Sequence, residues 1–153
     1  GVVHGWRRSY CMRILSWRAT PDQPGLMLAL QRGGACTGVA YRMPEDDPYG
    51  RMLRLLKREI SNREDLEWMR WVKVRAPEGQ VRALAFYCAP DGDSDAERLT
   101  RDEQARRLAL AVGHAGSCAE YLYNTVSHLE ALGIRDRYLW DMQARVAAEI
   151  DRL

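Results

Sequence analysis

Little in this sequence points to a membrane, a metal ion or a nucleic acid. No apolar run reaches the ~18 residues that a membrane-spanning helix requires, and no signal peptide is expected at the start. The four cysteines, Cys11, Cys36, Cys88 and Cys118, include no close pair, which excludes a Cys-x-x-Cys metal or redox motif. Two disulfides remain arithmetically open. The alternative is reduced thiols of a cytoplasmic protein, and it is favoured by three of the four lying in apolar, strand-like runs. His4, His114 and His128 are too scattered to suggest a metal site. The net charge is only +2 and the arginines form no stripe, so no nucleic-acid partner is expected. There is a single phenylalanine against five tryptophans and seven tyrosines, which predicts packed rings whose polar atoms find partners.

The 153 residues, 46% hydrophobic and 29% charged, have an ordinary globular balance and suffice for one domain spanning residues 1–153. No internal repeat or low-complexity tract interrupts them.

Strand patterns dominate the first half. Residues 7–15 read as a strand, and Thr20-Pro21-Asp22-Gln23-Pro24-Gly25 as turn chemistry. Residues 26–30 and 36–43, separated by Arg32-Gly33-Gly34, read as a β-hairpin. A helix follows Pro48. Residues 68–74 and 81–88 are two further strands joined at Pro77-Glu78-Gly79. Residues 89–98, rich in Asp, Gly and Ser, read as a solvated loop.

From Thr100 the period becomes helical. Thr100 with Glu103, and Ser117 with Glu120, have capping-box spacing. The first helix is predicted to bury Ala105, Leu108, Ala109 and Val112 and to end at Gly113. The second buries Leu122, Thr125, Val126, Leu129 and Leu132. Asp136 caps a third, with Leu139, Met142, Val146, Ile150 and Leu153 on its inner stripe. Strands, a helix, more strands and then helices make an α+β domain.

One residue breaks the pattern. Met52, Leu55, Leu56 and Glu59 fall at i, i+3, i+4 and i+7, one face of a helix, and three of the four are large and apolar. Two readings are open for Glu59. It turns outward at the helix end or pairs with Arg63, a contact worth about 0.3–0.5 kcal/mol. Or it is buried, and loss of water raises its pKa toward neutrality, where a carboxylate both takes and gives a proton.

Several blocks resemble the ChaC-type γ-glutamylcyclotransferases, which act on glutathione. They are Val3-His4-Gly5-Trp6-Arg7-Arg8, Gln23-Pro24-Gly25, Gly38-Val39-Ala40-Tyr41-Arg42, Leu56-Lys57-Arg58-Glu59 and Glu120-Tyr121-Leu122, in the family's order and at similar spacings. The resemblance implies a small mixed β-barrel with packed helices. It also implies cleavage of a γ-glutamyl amide by the substrate's own α-amine, giving 5-oxoproline and cysteinylglycine without a metal or organic cofactor. Glu59 matches the family's acid/base glutamate, Arg18 an arginine of a substrate-pocket loop, and Tyr121 a tyrosine near the site.

The chain departs from the family in lacking a Tyr-Gly-Ser-Leu loop, whose backbone N–H groups grip the substrate. The expectation is therefore an N-terminally incomplete domain, with the first strand missing. Such a domain is poorly active, or serves as a non-catalytic γ-glutamyl-binding or regulatory module. Ala19 replaces a common glycine, Cys118 a common asparagine, and no tyrosine follows soon after Glu59. Trp17, Trp68 and Trp71 are expected in core or rim packing, and Cys36 and Cys88 as buried small residues.

Overall fold

A computed structural model of the chain describes residues 1–60, 63–88 and 98–153, with the backbone alone at 64 and 65. In chain order these form β1 (Val2–Ile14), β2 (Gly25–Thr37), α1 (Pro48–Glu59), a short 3₁₀ turn (Glu64–Trp68), β3 (Met69–Ala76), β4 (Gly79–Phe86), α2 (Arg101–Leu110), a two-rung hairpin of β5 (Val112–Gly113) and β6 (Gly116–Ser117), α3 (Cys118–Ala131) and α4 (Arg137–Ile150). The acidic loop expected after Cys88 lies outside the described residues, apart from Arg98.

The main sheet runs β2-β1-β3-β4, all antiparallel. A single parallel bridge, Leu30 to Tyr87, brings the chain after β4 back towards β2. The described strands thus make a curled four-stranded sheet rather than a fully paired barrel. The hairpin predicted at Gly33-Gly34 is not formed. Both glycines stay inside β2, where they oppose the lone Gly5 of β1 as the register shifts between His4 and Trp6. This is a bulge: one strand carries an extra residue and the ladder kinks without reversing. β1 offers β2 a continuous thirteen-residue partner, so a long ladder replaces the short local hairpin.

The three C-terminal helices cover the sheet around one core. Tyr10 and Leu26 of the sheet meet Leu108 of α2, Leu122 and Val126 of α3, and Leu139, Met142 and Val146 of α4. Fully burying each large apolar chain contributes about 1.5–3 kcal/mol. A smaller cluster of Trp6, Val72, Val74 and Tyr87 lies under β1, β3 and β4. The outer positions of the predicted stripes face water instead: Val112, Leu132, Ile150 and Leu153 are all exposed. Each lies at or beyond a helix end, where no facing element remains. Cys36 is only half-buried and Cys88 is buried; all four cysteines are free thiols. Trp17 and Trp71 stand largely in solvent. Among the described residues no helix is long and apolar enough to cross a membrane.

Candidate active site

α1 begins as its sequence dictates. Asp47 accepts a hydrogen bond from the Gly50 amide at 2.9 Å, and Pro48 occupies the first turn, where its missing N–H costs nothing. The helix then presents the predicted stripe, but no described element packs extensively over it. Met52, Leu55 and Leu56 are half-buried and no residue of α1 is buried.

Glu59, at the last turn, is therefore not desolvated, and the expectation of a carboxylate in a dry cavity is not met. Its side chain is 34% exposed and pairs with the adjacent Arg58, whose Nε donates to Oε1 at 2.7 Å. The partner is Arg58 rather than Arg63. At this exposure such a pair is worth about 0–1 kcal/mol. Helical periodicity placed the face correctly; whether a face is covered depends on what lies opposite.

Arg18 and Tyr121 are brought together. Arg18 follows Trp17, the one described non-glycine residue with positive φ, at 61°. That turn aims the Arg18 side chain at the start of α3. Its Nη1 donates to the Ser117 carbonyl at 2.9 Å and to Glu120 Oε2 at 2.6 Å. The guanidinium carbon lies 5.9 Å from the centroid of the Tyr121 ring. The Cys118 thiol donates back to the Arg18 carbonyl at 3.3 Å, so this loop is held from both sides. Burial pushes the Tyr121 phenol above its ordinary pKa, and its ring stands edge-on to Tyr10 at 6.0 Å.

Sequence reasoning missed the role of Glu120. Its spacing from Ser117 suggested a capping box, and Ser117 Oγ does accept from the Glu120 amide at 3.0 Å. The Glu120 carboxylate instead reaches across to Arg18, a partner 102 positions away in the chain that no local spacing announces.

Among the described residues no hydrogen bond, ion pair or ring contact joins Glu59 to Arg18 or Tyr121. Two cavities stand out among the described residues. One, of about 630 Å³, opens between β1 and β3; the other, of about 910 Å³, lies between β1, β2 and the starts of α2 and α4. None of the three predicted residues lines either. Buried Ser9, Gln31 and Gln104 line the second, with Arg8 ion-paired to Asp136 at 2.9 Å. No cluster of three or more His, Cys, Asp or Glu side chains suited to a metal occurs among the described residues.

The sequence profile of the ChaC-like protein family matches residues 1–149. The chain belongs to the ChaC-like family. A glutathione-specific γ-glutamylcyclotransferase of Escherichia coli (strain K12) is 35% identical over 147 residues, covering 95% of this chain and 63% of that protein. The γ-glutamylcyclotransferase 2-3 of Arabidopsis thaliana is 30% identical over 155 residues, covering 95% of this chain and 77% of its own length. The ChaC-like chain thus spans under two thirds of the bacterial relative. Its α+β fold also matches the crystal structure of a selenomethionine-labelled, glutathione-specific γ-glutamyl cyclotransferase from yeast, with TM-score 0.73 at 19% identity, over 99% of this chain and 88% of that one. A second crystal structure of a yeast cyclotransferase specific to glutathione gives 0.69 at 17% identity.

Proposed function

We propose that this ChaC-like chain carries out γ-glutamyl cyclotransfer on glutathione in the cytoplasm, with Glu59 as the general acid/base and Arg18 and Tyr121 holding the substrate. The observation that carries the reading is the 35% identity with a glutathione-specific relative along nearly the whole chain. The chemistry needs little from the protein. The substrate's α-ammonium loses a proton to Glu59, the freed amine attacks the γ-carbonyl carbon, Glu59 hands that proton to the cysteinyl nitrogen as the amide C–N bond breaks, and the new ring nitrogen releases its remaining extra proton, which the departing amine takes up. 5-Oxoproline and cysteinylglycine result. Ring closure is intramolecular, so most of the acceleration comes from holding a folded conformer within reach.

The exposed Arg58–Glu59 pair sets a condition on this reading. The substrate ammonium must displace the Arg58 guanidinium, and the bound substrate must supply the desolvation that α1 does not. Arg18 stands anchored by Ser117 and Glu120, with a guanidinium suited to a carboxylate of the substrate. We also infer that the curled sheet closes into a small barrel and that residues 1–153 form one domain.

A second reading has its own observation. Glu59 lies outside both cavities, as befits a module that binds γ-glutamyl compounds without cleaving them. Incubation of the full encoded protein with glutathione separates the two. Equimolar 5-oxoproline and cysteinylglycine, lost in Glu59→Gln, support the enzyme. Calorimetric binding without product supports the module. Product from another γ-glutamyl compound alone would reassign the substrate.

A further inference from the structure

The sheet contains a gap whose charge is one-sided. β1 and β3 share two rungs, Val2 with Arg75 and Val3 with Val74, and then part, β1 following β2 and β3 following β4. The 630 Å³ cavity occupies the opening. This volume lies in the range of small-molecule sites. Trp6 is buried beside it, edge-packed on Tyr87 at 5.0 Å. Its charged lining is Arg32, Arg70, Lys73 and Arg75, with His4 at one side and no Asp or Glu.

These four cations share one opening with no carboxylate among them. Several arginines elsewhere are matched to carboxylates: Arg8 to Asp136, Arg18 to Glu120, Arg51 to Asp46, Arg101 and Arg145 to Asp141. Among the described residues none of the four cations of the gap has a carboxylate partner. Two of them are steadied by rings instead. The Arg32 guanidinium lies 5.1 Å from the Trp6 centroid. That of Arg70 lies 5.6 Å from the Tyr87 centroid, with Nη2 donating to the Tyr87 hydroxyl at 3.3 Å. An aromatic face orients a guanidinium without neutralising it. A concavity lined by one sign of charge concentrates its field and gathers counter-ions.

We propose that the gap between β1 and β3 is a binding site for a small polyanion, a molecule carrying two or more anionic oxygen groups, distinct from the residues assigned to cyclotransfer. Phosphate and carboxylate groups both satisfy guanidinium donors, so the two sources share this chemistry.

Calorimetry on the whole protein, with inorganic pyrophosphate and with citrate as probes at matched ionic strength, tests it. Saturable one-to-one binding is expected, and the preferred probe tells phosphoryl from carboxylate ligands. Lys73→Gln with Arg75→Gln, both exposed, should weaken binding at least about tenfold, the loss typical of charge-assisted hydrogen bonds. Arg106→Gln with Arg137→Gln removes the same net charge from exposed helical positions and should leave binding unchanged. Glu59→Gln should also leave it unchanged, so failure of the cyclotransferase reading would not touch this site. Absence of saturable binding, or equal weakening by both double variants, overturns the proposal.

Discussion

Gly113 lies against the backbone of the Trp17–Ala19 turn. A Cβ built on it would fall 2.6 Å from the Ala19 amide nitrogen and closer still to the Trp17 carbonyl. The Ala115 amide donates to that same carbonyl at 2.9 Å, and the His114 ring lies 5.3 Å from the Trp17 ring. The β5–β6 hairpin therefore clasps the turn that carries Arg18. It holds Trp17 in a left-handed conformation that costs about 1–2 kcal/mol for a side-chain-bearing residue.

Gly113→Ala should force the two backbones apart. Overpacking of this kind typically costs about 1–3 kcal/mol. At this chain length that corresponds to a Tm loss of several degrees. The same displacement should loosen the Arg18–Glu120 pair, so KM for glutathione should rise along with the stability loss. An unchanged Tm would mean that the turn and the hairpin move freely relative to each other.

Glu59→Gln should separate chemistry from folding. The side chain is partly exposed, with one surface ion pair, so stability should stay within about 0.5 kcal/mol. Loss of a general acid/base typically lowers turnover by about 10²–10⁴. Parallel measurement of 5-oxoproline release and denaturant midpoint checks both halves. Full activity in the variant would remove Glu59 from the mechanism.

Arg18→Ala removes donors to Ser117 and Glu120 at once. Because Glu120 is well exposed, the stability cost should stay near the 0–1 kcal/mol of surface pairs. Substrate affinity should fall by roughly 10- to 100-fold if the guanidinium also meets a substrate carboxylate. Arg18→Lys should recover little, since an ammonium cannot reproduce the planar fork. Steady-state kinetics that show KM unchanged in Arg18→Ala would confine Arg18 to a structural role.

Stability should fall on the alkaline side. Burial raises the phenol pKa of Tyr10, Tyr121 and Tyr138 above the ordinary 10.0. Once pH passes 10.0 the unfolded chain releases these protons while the folded chain retains them. The unfolded state then binds fewer protons, and stability declines as pH rises. Below 10.0 the three rings contribute no pH dependence. Urea midpoints across this range, read beside tyrosinate absorbance, should show the decline together with delayed ionisation in the native protein.

Local chemistry made much of the fold legible. Thr100 with Glu103, and Asp136, cap the helices that their spacing announces, and a helix starts at Pro48. β3 and β4 lie where alternating apolar residues put them, joined at Pro77-Glu78. These signals act within a few residues, so one stretch of sequence contains them. Gly33-Gly34 misled for the complementary reason. The same dipeptide suits a turn or a bulge, and the choice lies with β1, more than twenty residues earlier.

The candidate site divides in the same way. Residue order alone brought out the family blocks, with Glu59, Arg18 and Tyr121 among them, because a motif is a property of the chain. Helical period also placed Glu59 on the apolar side of α1. Only the tertiary structure decided that no described element packs extensively over this side, that Glu59 pairs with Arg58 and stays partly exposed, and that Glu120 spans 102 positions to reach Arg18. Burial and long-range pairing are relations between elements; periodicity within one element cannot specify what faces it.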